Sequence, residues 1–417
     1  LRERKKAMKY VLIVPDGMGD RPISSLGGKT PLEAAQTPEM DYFAHRGTVG
    51  LSRNIPDSFI PGTDIGCMSV FGYDPSRYFT GRGPLEAAEL GVALGSGDLA
   101  FRCNLVTIEG NLLKDFSADH ISTAETAQLL ETLNQHLSGR KPSSFAFYAG
   151  KGTGYRNLMV YRNAPRDAQQ VLCTPPHDIM GRPYAESLPS GKHAKELNEL
   201  IKTSFELFRD HPVNVRRIRN GKAPANMIWL WGQGFSPSFP SYYERYGLRG
   251  AVITAVDLVK GLAIHAGLDV LDVPGVTGYF DTNYEGKAEY AIHALRSRDF
   301  VAIHIESTDE AGHMGDAQLK IRAIEDIDRI VVGNLRRSLK EFGEYNILVL
   351  PDHFTCVETR THASDPVPFL AYSSAHEKKG PKKFSEANAS KTGIFMSEGH
   401  RIMETFIREE SFPEAVR

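Results

Sequence analysis

The chain has 417 residues, with 49 Lys and Arg against 51 Asp and Glu, a formal net charge of −2. Hydrophobic residues make up 41% and charged residues 24%, the values of a globular protein and not of a disordered or fibrous chain. This balance lacks the basic excess of a general nucleic-acid binder, and the length predicts two domains or more.

Residues 1–17 (LRERKKAMKYVLIVPDG) begin basic and turn into a strand-length apolar run. They lack the long apolar stretch and small-residue cleavage site of a signal peptide. Met8 reads as the start, with the seven residues before it an upstream extension. Residues 10–14 (YVLIV) end at Pro15-Asp16-Gly17, and such a run bounded by turn residues predicts a buried strand of a parallel sheet. Residues 31–47 predict a helix, a break at Pro38 and a second short helix. Thr63 lies in PGTDIGCMSVFGYDP, a loop leading into a helix.

From about 99 to 225 the apolar runs are shorter and alternate more, as in 101–108 and 157–161, with helices expected at 123–137 and 194–208. This predicts a smaller α+β domain, 99–225, inserted into a larger discontinuous α/β core of 1–98 and 226–417. Residues 227–231 (MIWLW) are a weaker strand of that core. The most apolar long window, 251–271, carries Asp257, Lys260, His265 and Asp269, which argues against a membrane helix. Residues 300–305 (FVAIHI) and 346–350 (NILVL) repeat the buried-strand pattern. Residues 317–342 have apolar positions at three- and four-residue steps and predict one long amphipathic helix, with an interruption at Gly333. Residues 377–391 (EKKGPKKFSEANASK) read as a surface loop. The cysteines, Cys67, Cys103, Cys173 and Cys356, form no CxxC pair. A thiolate zinc cluster and a disulfide framework are therefore not expected, and a reduced cytoplasm fits.

Three buried runs end in residues able to do chemistry: Asp16, then Glu306 to His313, then Asp352 and His353. Sites in open α/β sheets gather beyond the carboxyl ends of the strands, so the three ends point to one site. Asp309 and His313 stand four apart and share a face if helical. They read as a metal-ligand pair or as a helix N-terminal carboxylate beside a surface histidine. Asp352 and His353 point to opposite sides of a straight strand, so they serve two metals, or one metal from a turn, or are a turn aspartate with a structural histidine. His362 follows nine residues on. Three Asp, three His and the Thr63 hydroxyl suffice for two divalent ions able to clamp a phosphoryl transfer. Taken alone, Thr63 reads first as an N-cap.

The chain resembles the cofactor-independent phosphoglycerate mutases of the archaeal type, in the alkaline phosphatase superfamily. The motifs that carry this run over most of its length: VLIVPDGMGDRP, GGKTPLEAAQTPEMD, PGTDIGCMSVFGYDP, GRGPLEAA, AFRCNLVT, GYRNLMVYR, PPHDI, DEAGH, PDH and THASDPVPF. The resemblance implies an alkaline-phosphatase-like core sheet flanked by helices, with the smaller insert binding substrate as a lid. It implies one divalent ion (Mn, Zn or Mg) on Asp309, His313 and His362, and a second on Asp16, Asp352 and His353 with the Thr63 oxygen. It also implies a phosphothreonine intermediate between 3-phosphoglycerate and 2-phosphoglycerate without bisphosphoglycerate. The partner would be a small phosphorylated substrate, not nucleic acid or membrane. Arg156 and Arg162, six apart, share a face on a strand and match two substrate-contacting arginines of related mutases. Lys260, Arg82 and His120 are further substrate-contact candidates, each also readable as a structural or solvated side chain. The mutases it resembles carry serine where this chain has Thr63, whose extra methyl restricts χ1. A homoserine kinase-like phosphotransferase and a phosphomonoesterase are the alternatives, although neither GxxxxGK[ST] nor a GxGxxG after a strand is found.

Overall fold

The computed structural model describes residues 8–138, 144–409 and 412–413; the proposed upstream extension, 1–7, lies outside them. The chain divides into two units, Leu1–Phe79 with Phe239–Arg417, and Thr80–Ser238.

The first unit is built on an eight-stranded sheet in the order Phe395–Met396, Thr48–Ser52, Val367–Ser373, Tyr345–Val349, Lys9–Pro15, Phe300–Ile305, Gly250–Ile253, Asp269–Val270. The five strands from Tyr345–Val349 to Asp269–Val270 run parallel, and Val367–Ser373 is antiparallel to both neighbours. Lys9–Pro15 lies between its two chemistry-bearing partners, in a register that pairs Val14 with His304 and Ile13 with Val349. Alternate side chains enter opposite cores. Val11, Ile13, Val301, Ile303, Ile347 and Val349 pack in one, and Leu12, Val14, Ala302 and Leu348 in the other. Burial on both faces is why these strands read as unbroken apolar runs. Because the three run parallel, the segments after Pro15, Ile305 and Val349 leave the same edge of the sheet.

The second unit has its own sheet, in which Leu99–Glu109 is antiparallel to Arg156–Tyr161 and to Met227–Phe235. Helices Thr123–Ser138 and Ala194–Phe208 bury Leu129, Leu130, Leu133, Leu197, Leu200 and Ile201 against it. This unit starts earlier and ends later than the expected 99–225. Helix Arg82–Glu89 joins it because Ala87 packs with Ala100, Leu158 and Val160. Residues 227–231 belong to its antiparallel sheet, not to the parallel core.

Residues 317–342 are helical throughout, but not as one α-helix. Ala317–Asp326 passes into a π turn, Ile327–Val332, then an α segment, Gly333–Ser338, and a 3-10 turn, Leu339–Phe342. Gly333 is buried and does not interrupt the helix. Within the π turn the Asp328 carboxylate accepts from the backbone N–H groups of Glu39 (3.1 Å) and Met40 (2.7 Å). It thereby caps helix Pro38–Ala44, whose own N-cap Thr37 makes no side-chain cap. Residues 377–391 are also more than a surface loop: Ser385 caps helix Glu386–Lys391, Phe384 is fully buried, and Glu386 accepts from the Thr30 hydroxyl. Among the described residues no helix is long and apolar enough to cross a membrane.

Candidate metal centre

Asp16 follows strand Lys9–Pro15 and is fully buried. The next residue, Gly17, has φ +60°, and a Cβ there would fall 2.6 Å from Asp309 Oδ1. Only glycine permits this turn so close to a second carboxylate. Asp352 and His353 leave strand Tyr345–Val349 in a bend rather than a straight strand, so both side chains reach one cluster. Asp352 Oδ1 accepts from the N–H groups of Gly17 (3.1 Å) and His353 (2.9 Å). Its Oδ2 lies 3.3 Å from His353 Nε2, and Asp16 Oδ1 lies 3.5 Å from the same nitrogen.

Asp309 and His313 sit one turn apart on helix Ser307–Met314. Asp309 Oδ2 is 3.3 Å from His313 Nε2, and Oδ1 is 3.4 Å from His362 Nε2. His362 lies on the small hairpin Phe354–Cys356 with Thr361–Ala363. Its Nε2 stands 2.9 Å from that of His313, and its ring centroid 4.2 Å from that of His353. Thr63 is the first residue of helix Thr63–Val70. Its side chain makes no cap, the N-cap being Gly62, and Oγ1 is 3.4 Å from His353 Nε2.

The ring nitrogens test whether a cation belongs here. His313 Nδ1 faces the Arg360 carbonyl (3.0 Å), His353 Nδ1 the Phe354 carbonyl (3.2 Å) and His362 Nδ1 the Pro61 carbonyl (3.4 Å). A carbonyl only accepts, so each Nδ1 carries the proton and each neutral ring turns a bare Nε2 toward the carboxylates. Lone pairs then face lone pairs, and both buried oxygens of Asp16 lack a hydrogen-bond donor. Only a cation, a proton or a metal ion, reconciles such an arrangement. Without metal, protons take that part. The hydrogen bond to Asp309 raises His313 to about 9. Burial pushes Asp309 upward, but its bonds to His313 and His362 bring it well below the usual carboxylate range. Burial, then the charges of Asp352, Asp309 and Glu306, drive Asp16 well above that range. Two groups have ligand atoms all within 4.8 Å of one another, Asp309–His353–His362 and Asp16–Asp352–His353. A third joins Cys67 and His304 to Asp352.

Three neighbours were not singled out from sequence. His304, hidden inside an apolar run, lies with Nε2 3.1 Å from Asp16 Oδ2. The Thr355 hydroxyl donates to Asp309 Oδ1. Lys320, fully buried, donates to Asp20 (2.9 Å), Gly19 O (3.1 Å) and Thr355 O (2.7 Å), tying the segment after Asp16 to that after His353.

The expected substrate contacts are spread over both units. Lys260 belongs to the first, on helix Asp257–His265, with Nζ 2.9 Å from Asp257 Oδ1. The other four belong to the second. Arg156 is exposed with Cζ 5.2 Å from the Tyr155 ring, and the exposed His120 ring lies 6.2 Å from the same tyrosine. Arg162 is engaged by Asp98 and the Tyr148 hydroxyl. Arg82 lies 5.7 Å from the Trp231 ring, over which Arg102, unnoticed in the sequence, stacks at 4.3 Å while pairing with Glu86 (2.7 Å).

Residues 44–214 match the family model described as 2,3-bisphosphoglycerate-independent phosphoglycerate mutase. A probable enzyme of that name from Geobacter sulfurreducens is 48% identical over 96% of this chain and 100% of its own length. The mutase of Methanosarcina barkeri is 50% identical over 93% of this chain and 96% of its own. Among solved structures, the cofactor-independent phosphoglycerate mutase from Thermoplasma acidophilum superposes with a TM-score of 0.66 at 29% identity, over 97% of this chain and all of that one.

Proposed function

Since the chain belongs to the 2,3-bisphosphoglycerate-independent phosphoglycerate mutase family, we propose that it interconverts 3-phosphoglycerate and 2-phosphoglycerate through a phosphothreonine at Thr63. The observation that carries this reading is the Thr63 hydroxyl 3.4 Å from His353 Nε2, amid imidazole nitrogens and carboxylates turned toward one another. Asp309, His313 and His362 are assigned to one divalent ion (Mn, Zn or Mg), and Asp16, Asp352, His353 and the Thr63 oxygen to another. When bound, such ions supply the positive charge that favours an ionised hydroxyl and stabilises phosphoryl transfer.

In the forward direction, Thr63 Oγ gives up its proton and attacks phosphorus as the bond to glycerate O3 breaks, and O3 takes up a proton. Glycerate turns in place. Its O2 then attacks the phosphothreonine, loses its proton, and Thr63 is released as the hydroxyl. The phosphoenzyme must be kept from water and the glycerate held while it turns. We assign that holding to Arg82, Arg156, Arg162, His120 and Lys260. Planar guanidinium groups suit carboxylate and phosphate, and Arg162 would exchange Asp98 and Tyr148 for substrate.

The test is metal-reconstituted protein with 3-phosphoglycerate and no bisphosphoglycerate, followed by phosphorus NMR beside Thr63→Ala. Metal-dependent 2-phosphoglycerate that vanishes in the variant is the expected result. Free phosphate as the main product would favour a phosphomonoesterase.

A further inference from the structure

Four histidines surround the aspartates, and one differs. His313, His353 and His362 each turn Nδ1 to a carbonyl, but His304 turns Nδ1 to a hydroxyl, Thr254 Oγ1, at 3.2 Å. That hydroxyl already accepts the Val256 N–H at 3.0 Å. Thr254 is buried, and its own proton needs an acceptor. His304 Nδ1 is the acceptor in reach. A ring that accepts at Nδ1 carries its proton at Nε2, the reverse of the other three. Here Nε2 is buried and without a hydrogen-bond partner, and it lies 3.1 Å from Asp16 Oδ2, which likewise has none.

We infer that His304 is a positioning residue for Asp16: it takes the Thr254 proton at Nδ1 and presents a protonated Nε2 to Asp16 Oδ2. This rests on the assignment of Asp16 to a divalent ion and adds what holds that carboxylate in rotation. The backbone makes the pair. The sheet pairs Val14 with His304, and the neighbouring Ile303 with Ile253, one residue before Thr254. The relay Val256 N–H, Thr254, His304, Asp16 therefore crosses three adjacent parallel strands at their carboxyl ends. It also takes His304 out of the group it could form with Cys67 and Asp352, because a protonated Nε2 has no lone pair for a metal.

The experiment is long-range proton–nitrogen correlation NMR on nitrogen-15 protein loaded with diamagnetic Zn²⁺ or Mg²⁺. His304→Gln supplies the assignment. A protonated Nε2 with a bare Nδ1 at His304 supports the inference. The opposite tautomer, as at His313, or a doubly protonated ring overturns it.

Chelator competition gives a second readout. His304→Leu is expected to weaken metal binding roughly 10–100-fold, the range for residues that orient a ligand. His304→Gln, whose amide can also donate, should recover most of it. Thr254→Val should cost less and shift the tautomer of His304 toward protonated Nδ1. Unaltered affinity in folded His304→Leu overturns the inference while leaving the metal assignment intact. A wild-type protein that takes up no metal overturns both.

Discussion

The two halves of the cluster are built from the same residue types and behave differently. Asp16, Asp352 and His353 have no exposure at all. On the other side, His313 and His362 keep 37% and 25% of their side chains in solvent. The outer half settles its charges internally: Asp309 stays ionised and His313 is held protonated. The inner half does not, since burial leaves Asp16 disfavouring its charge. Desolvation is the difference. An imidazole at the rim takes up a proton cheaply, whereas His353, lowered by burial, does not. A metal is thus most needed where water is absent, beside the hydroxyl proposed to receive the phosphoryl group.

The largest expected effect separates chemistry from scaffold. Thr63→Ala should lower exchange about 10⁶-fold, the range for loss of a covalent nucleophile, as read by phosphorus NMR. Next is the support shared by both halves. Lys320→Met leaves Asp20 charged and buried, and should cost about 3–5 kcal/mol in urea unfolding; adding Asp20→Asn should recover much of it. Third, Asp16→Asn should raise the melting temperature of metal-free protein, since it removes a disfavoured charge, whereas His313→Gln should lower it. An increase for both would dissolve the comparison.

The smallest effect is in pH dependence without metal. A carboxyl raised in the fold contributes stability below its unfolded value of about 4 and loses it as pH rises through the folded value. Asp16 should therefore make stability fall from about pH 4 upward. His313, raised to about 9, contributes below about 6.5 and loses that contribution as pH rises toward 9. Asp16→Asn should flatten the acid part of the curve and His313→Gln the alkaline part.

What the sequence disclosed follows the same physics. Strand Phe300–Ile305 was readable because both its faces are buried, and Asp309 with His313 because a helix repeats at four residues. An apolar run does not say which sheet it joins: residues 227–231 read as a strand of the parallel core, and they pair with Leu99–Glu109. Polar composition concealed helix Glu386–Lys391, whose burial is carried by Phe384, Ser385 and Ala389. His304 is concealed for the converse reason: its neighbours mark it as part of a strand, which it is, and hide what it faces. Thr355 and Lys320 act through atoms brought close only by folding, and no spacing announces them.

The π turn at Ile327–Val332 has a consequence for how this chain tolerates insertions and deletions. Such a turn amounts to one residue more than an α-helix needs. Deleting a single residue between Asp328 and Val332 would restore the regular ladder, a change an isolated helix would accept. Because the wide turn already absorbs that residue, the flanking segments would keep their faces and only the turn itself would narrow. In this protein the narrowing would carry the Asp328 carboxylate, which sits inside the turn, away from the N–H groups of Glu39 and Met40 that it caps. The extra residue is fixed by a carboxylate that caps a different helix, so length is constrained here more tightly than identity.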